Sequence, residues 1–335
     1  MHRKSAVSGA PNSTVLPRVL AVAAATLITS GVRFARAEIL FVTGEHAGTV
    51  SSIDAATGRR IRSAKVGART RGIALSADGK RAFVAVSHFQ GQPATEPDSV
   101  VALDTRDLRV VRRYRAGTDP EGIALSADGR WLAVSNEDAG TASIVDLATG
   151  EDAPLVTGTE PEGIGASPDG RWLYVTAETS NTVTVIDARA RRVVNNVFVS
   201  ARPRAVLFSP DGARAWVTSE IGGAVDVLDV AAQRVVGKLK LPAKDHPVGL
   251  VFRDGMLWIA TGRGDSVAAV DAASLRVVAE VPVGSRPWWL ALSRDGRRLY
   301  VANSLSDTIS VVDTAARRVV RELPAAGGPW GIAVP

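Results

Sequence analysis

The 335-residue sequence contains no cysteine. Its absence excludes a disulfide scaffold, a thiolate metal site, covalent c-type haem attachment and a cysteine nucleophile. Aromatic residues make up only 5% of the chain, and there are four histidines. Beyond His2, only His46, His88 and His246 remain, too dispersed for an imidazole metal or haem site. The sequence also lacks a glycine-rich phosphate loop, a G-x-S-x-G nucleophile elbow and an H-E-x-x-H pair. What is plentiful is turn chemistry, with 31 glycines and 17 prolines in a chain that is 46% apolar and 22% charged. That balance suits a globular protein of many short strands better than a helical bundle.

The formal charge of +6 and pI near 10 would by themselves suggest nucleic acid or an anionic membrane as a partner. The charge is unevenly placed. Arg3, Lys4 and Arg18 precede an apolar run from Val19 to Ile28, and Ala35-Arg36-Ala37 follows as a small-x-small cleavage pattern. The run is shorter than the roughly 20 residues a spanning helix needs. Residues 1–37 are therefore expected to be a signal peptide, and residues 38–335 one exported, periplasmic domain with no membrane span after signal removal. Residues 1–37 hold five basic residues and no acidic one, leaving a net charge of +1 on the remainder. The basicity belongs largely to the leader, and no nucleic-acid partner is expected.

A repeat of about 42 residues organises the rest. Asp-Gly turns recur at Asp78, Asp128, Asp169, Asp211, Asp254 and Asp295, at separations of 50, 41, 42, 43 and 41. A second ladder, an apolar residue followed by aspartate, runs through Asp54, Asp104, Asp146, Asp187, Asp229, Asp271 and Asp313. Each unit reads as four short strands, as in Trp172-Leu173-Tyr174-Val175-Thr176 and Thr182-Val183-Thr184-Val185-Ile186. Four antiparallel strands at this period predict an all-β, seven-bladed propeller. The first unit lacks an innermost strand, and the chain ends in a lone innermost-strand pattern from Pro329 to Val334, so the C-terminus is expected to close the ring. The aspartate ladder is expected to cap turns. Trp216 and Trp258, in the second strands, are expected to pack between blades.

Tyr174-Val175-Thr176-Ala177 and Tyr300-Val301-Ala302-Asn303, each followed by an apolar-Asp step, resemble the YVTN-type propeller repeat. Val193-Val194-Asn195-Asn196-Val197, Arg202-Pro203-Arg204, Thr218 to Gly223 and His246-Pro247-Val248-Gly249 resemble, more narrowly, the propeller family associated with pyrroloquinoline-quinone (PQQ)-dependent catabolism. The resemblance implies an exported protein accessory to quinoprotein alcohol oxidation. A departure is His88-Phe89-Gln90-Gly91-Gln92-Pro93, which enlarges one blade by about eight residues relative to the shared period.

Within a blade, the start of the innermost strand and the end of the second strand share one face of the disc, around the axis. The innermost-strand positions hold Arg71, Glu121, Glu162, Arg204, Val248, Trp288 and Trp330, with Arg69, Asp119, Glu160, Arg202, His246 and Arg286 two residues earlier. Charge is sorted by blade. Arg71, Glu121, Glu162, Arg202, Arg204, His246, Trp288 and Trp330 are the candidate ligand- or partner-binding set. Arg202 and Arg204 flank a rigid Pro203 and suit bidentate contact with carboxylates. PQQ is a tricarboxylate whose ring system could stack on Trp288, Trp289 and Trp330. The second strands end in Glu45, Ser87, Glu137, Glu178, Glu220, Gly262 and Ser304. Glu45, Glu137, Glu178 and Glu220 are the candidate metal set, of a kind that binds a hard cation such as Ca²⁺; the competing reading is that each bonds the neighbouring blade.

With no catalytic constellation evident, the expected function is a non-catalytic, monomeric binding propeller. Its partner would be a periplasmic protein or a small anionic ligand of a quinoprotein oxidation system. The alternative is a metal-dependent propeller enzyme of lactonase or lyase type, with its site at the channel mouth.

Overall fold

Asp-Gly turns and aspartate caps cut the chain into strands of four to seven residues. The Asp54 carboxylate accepts the N–H groups of Ala56 (3.0 Å) and Thr57 (2.8 Å). The same cap recurs at Asp104, Asp146, Asp187, Asp229, Asp271 and Asp313, so this ladder terminates strands, as its spacing suggests.

The computed structural model describes residues 38–91 and 96–335, together with Gly9. The expected leader and its cleavage lie outside the described residues, apart from that glycine, and so do Gln92 and Pro93 of the insertion. The described residues form seven sheets of four antiparallel strands, and their helical content is a single 3-10 turn, Gly262–Gly264. In blades 2 to 7 the strands pair in sequence order, innermost to outermost. In blade 1 the C-terminal strand Pro329–Ala333 pairs with Ile39–Gly44, which is followed by Thr49–Asp54 and Arg60–Lys65. The chain's last strand is the innermost strand of its first blade, as expected.

Burial follows position in the blade. The middle strands Trp172–Ala177 and Thr182–Asp187 are buried nearly throughout, because blades pack face to face. The outermost strand Arg234–Lys240 alternates between exposed and half-buried residues. Trp216 stacks on Phe252 of the next blade at 5.1 Å, and Trp258 is buried among residues of blades 6 and 7.

Two repeated devices hold the blades together at the axis. A Cβ on Gly72, Gly122, Gly163, Gly249 or Gly331 would lie within 2.7 Å of a carbonyl oxygen in the next blade. Glycine there lets the innermost strands approach backbone to backbone. Beside them, a hydroxyl from the second strand bridges blades. Thr176 Oγ1 accepts the Gly163 N–H (2.8 Å) and donates to the Arg204 carbonyl (3.2 Å). Thr43, Ser135 and Thr218 make the same bridge to the carbonyls of Arg71, Glu162 and Val248. These carbonyls belong to candidate site positions, so the bridges also orient the mouth.

Candidate active site at the channel mouth

Each innermost strand begins beside the end of its neighbour: Arg69 pairs with Ser87, Pro120 with Asn136, Pro161 with Ala177, Pro203 with Ser219 and Pro287 with Asn303. The N–H groups of Glu137, Glu178 and Glu220 donate to the carbonyls of Asp119, Glu160 and Arg202, each at 2.8 Å. This register gathers the two sets of candidate positions on one face.

The residue before the innermost-strand proline has a positive φ in five blades: Asp119 (50°), Glu160 (56°), Arg202 (59°), Arg286 (57°) and Gly328 (69°). Glycine takes this conformation freely, whereas a side chain there costs about 1 kcal/mol. Four blades carry a charged residue in the place that blade 1 gives to glycine. Four of these five N–H groups are captured by a side chain on the preceding blade, three of them by Asn181 for Arg202, Asp265 for Arg286 and Asp307 for Gly328, each at 2.8 Å. Asp98 does the same for Asp119 at 2.8 Å. Strain of this kind persists where the surroundings over-determine it, commonly at functional sites.

The mouth has two charged sectors. In the first, Glu45 accepts from Arg69 (3.0 Å) and Arg71 (3.1 Å), and Arg69 also holds Asp119 (3.0 Å). Arg71 pairs with the fully buried Glu121 and lies 3.5 Å from Glu137. Carboxylate oxygens of Asp119, Glu121 and Glu137 all lie within 4.8 Å of one another. Burial, with Glu162 and Asp119 nearby, pushes the Glu137 carboxyl up to about 8. Two residues of the insertion reach this sector: Phe89 stands 5.7 Å from the Arg69 guanidinium, and Gln90 donates to Asp138 (3.2 Å).

In the second sector, the buried Arg204 pairs with Glu162, Glu178 and Glu220, the last at 2.7 Å. Arg202 pairs with Glu178 and lies 3.6 Å from Glu220. Burial raises Glu178 to about 7 despite Arg204 beside it, whereas for Glu220 the arginines Arg204, Arg286 and Arg202 overcome burial and lower it. The guanidiniums of Arg286 and Arg204 lie 4.7 and 5.5 Å from the Trp288 ring centre, and Trp289 stacks on Trp330 at 5.8 Å. Below both sectors the channel wall is apolar, with Ile73, Ile123, Ile164, Val248 and Trp289.

The candidate binding residues Arg71, Glu121, Glu162, Arg202, Arg204, Trp288 and Trp330 thus meet at the mouth or its throat. His246 is half-buried beside Asp245 and the Gly262–Gly264 turn and belongs to neither ion-paired sector described above. The four glutamates of the metal set are divided. Glu45 is taken up by two arginines of blade 2, Glu178 and Glu220 by Arg202 and Arg204, and only Glu137 joins an acidic trio, with Asp119 and Glu121. Each of the other three lies beside an arginine at an innermost-strand start, and the ion pair holds its oxygens. Sequence reasoning had placed Asp119 at the rim without making it a ligand. The signal that could have drawn attention to it is the repeated charged residue before proline.

The chain matches the family described as Choice-of-anchor I domain over residues 34–254. It belongs to that family. Residues 194–320 of this choice-of-anchor I protein also match the family described as Lactonase, 7-bladed beta-propeller. No curated protein matches it. Among solved structures, the periplasmic gluconolactonase of Pseudomonas aeruginosa is similar at 22% identity and a TM-score of 0.75, with 89% of this chain and 99% of that one covered. A Bacteroides fragilis protein named as a 6-phosphogluconolactonase is similar at 16% identity and a TM-score of 0.74, covering 90% and 99%. A dihydro-haem d1 dehydrogenase is similar at 18% identity and a TM-score of 0.65, covering 88% and 74%. At such identities the likeness is one of fold, a seven-bladed propeller. The expectation of a non-catalytic accessory to quinone-dependent oxidation does not stand. The blades that carry Arg202, Arg204 and Trp288 fall within the lactonase match, and the family likenesses are not to the quinone-associated group.

Proposed function

We propose that the protein hydrolyses lactones at the channel mouth, with Glu137 as general base. The observation that carries the activity is the lactonase match over residues 194–320; Glu137 and Arg71 lie outside that match and are assigned from the mouth itself, where a carboxyl of raised pKa stands beside an arginine. Water adds to the carbonyl carbon of the cyclic ester and gives a proton to Glu137. The ring C–O bond then breaks, the ring oxygen takes up a proton, and a hydroxy acid leaves. A carboxylate poised at about 8 is a stronger base than a free one, at the cost of being mostly protonated at neutrality. Arg71, 3.5 Å from Glu137, offers N–H groups to the carbonyl oxygen as negative charge develops there. On the reading of residues 1–37 as a leader, the activity is periplasmic.

One observation favours a metal-assisted form of the same reaction. The all-oxygen trio of Asp119, Glu121 and Glu137 fits a hard divalent cation, which would share these oxygens with Arg69 and Arg71. Such an ion supplies Lewis-acid polarisation of the ester carbonyl. The test is hydrolysis of gluconolactone, followed by acid release, for wild type and Glu137→Gln, with and without chelator. Both forms predict that the variant loses about 100-fold or more in rate while staying folded. Chelator abolishes turnover only in the metal-assisted form. A variant as active as wild type overturns the assignment of Glu137.

A further inference from the structure

Blade 2 is enlarged beyond the shared period, and three consecutive residues of its insertion each grip a different neighbour of the acidic trio. His88 Nδ1 lies 2.9 Å from one oxygen of Asp98, and since a carboxylate only accepts, the imidazole carries the hydrogen there. The other Asp98 oxygen takes the Asp119 N–H (2.8 Å). Phe89 stands 5.7 Å from the guanidinium of Arg69, which donates to both carboxylate oxygens of Asp119 at 3.0 Å. Gln90 donates to Asp138 (3.2 Å), the residue after Glu137.

Asp119 is the residue through which these contacts reach Glu137. Its carbonyl accepts the Glu137 N–H (2.8 Å), and its φ of 50° depends on the surroundings that hold it. Four blades capture the N–H of this position with a side chain just before the third strand, Asp98, Asn181, Asp265 or Asp307. Of the four, among the described residues, only Asp98 is held in turn by a histidine. The repeat accounts for Asp98; it does not account for His88. The Asp98 side chain is 7% exposed, whereas that of His88 is 35% exposed and can be replaced without opening the core.

We infer that His88 is a positioning residue for the mouth: by fixing the Asp98 carboxylate it fixes Asp119, and through Asp119 it sets the place of Glu137 beside Arg71. It acts through two intervening residues and takes no part in proton transfer. Without it, Asp98 keeps a single partner on its backbone side, and the strained Asp119 loses its fixed acceptor. An error of about 1 Å in a reacting group costs up to about 100-fold in rate. Phe89 and Gln90 still restrain the sector, so a smaller loss, about tenfold, is expected. The effect on rate rests on the proposed hydrolase; the hold on Asp119 does not.

The test compares His88→Ala with His88→Asn, whose amide keeps an N–H donor near the place of Nδ1. Steady-state hydrolysis of gluconolactone is expected to show kcat about tenfold lower in His88→Ala with KM within about twofold, and at least about half of wild-type kcat in His88→Asn. Amide hydrogen exchange of the whole protein, read by NMR, is expected to show Asp119 and Glu137 exchanging about tenfold faster in His88→Ala. The Arg202 amide, held by Asn181, is expected to keep its wild-type rate. Wild-type kcat in His88→Ala, equal losses in the two variants, or an unaltered Asp119 amide overturns the inference. So does faster Asp119 exchange with kcat unchanged, which marks a structural contact alone. If no lactone turns over but Asp119 exchange depends on His88, the hold on the rim stands and the hydrolase falls. If lactones turn over through Glu137 and Asp119 exchange ignores His88, the positioning role alone falls.

Discussion

The body of the ring and its mouth are built from the same seven repeats and obey opposite rules. In the body the blades reuse the same devices: an aspartate caps a turn in all seven, glycine lets innermost strands touch in five, and a hydroxyl bridges the gap in four. At the mouth the equivalent positions differ from blade to blade, holding arginine, glutamate or tryptophan, and four of them carry a side chain in a conformation suited to glycine. The body therefore supplies stability, while the mouth gives some of it up to place charge.

Mutations can break this comparison, and the largest effect belongs to the body. Deleting residues 329–335 removes the innermost strand of blade 1, with Trp330 and Ile332 buried in it. The melting temperature is expected to fall by more than about 10 °C, if the variant folds at all; an unchanged melting curve would show that the ring does not depend on this closure. A smaller loss follows from Thr176→Val, which strips the Gly163 N–H and the Arg204 carbonyl of their shared partner in a buried place. Chemical denaturation is expected to read a loss of about 2 kcal/mol. The mouth should behave in the opposite sense. Glu160→Gly relieves a φ of 56° and is expected to gain about 1 kcal/mol. A loss instead would mean that the Thr179 hydrogen bond to Glu160 outweighs the strain.

The same contrast explains what could be read from residues alone. Strand count, blade number and closure were legible because Asp-Gly turns and the Asp54 to Asp313 ladder recur at nearly constant spacing, and because the Pro329 strand pattern has no successor. The face on which Arg71, Glu162 and Arg204 gather was legible from alternating strand direction. Which glutamate meets which arginine was not, since Glu45 in blade 1 is claimed by Arg69 and Arg71 in blade 2, a contact set by how blades abut. The acidic trio was missed for the same reason: Asp119, Glu121 and Glu137 come together only through the register of two strands. The hydroxyl bridges left a faint trace, Thr43, Ser135, Thr176 and Thr218 at matching places in the second strands, which only the neighbouring carbonyls make meaningful.

Glu137 also links the mouth's function to its stability. Its folded pKa lies above the ordinary value of 4.5, so the proton it holds stabilises the folded chain below about pH 4.5. That contribution is lost as pH rises toward 8. Glu137→Gln is accordingly expected to lose less stability than wild type between pH 5 and about 8, as read by melting curves.

The most direct test of the central claim, that the mouth hydrolyses lactones through Glu137, is the pH dependence of kcat/KM for a lactone. The rate is expected to rise with pH, reach half its plateau near the Glu137 value of about 8, and lose that rise in Glu137→Gln. A profile that is flat from pH 6 to about 9, or one that keeps its shape in the variant, would contradict the account.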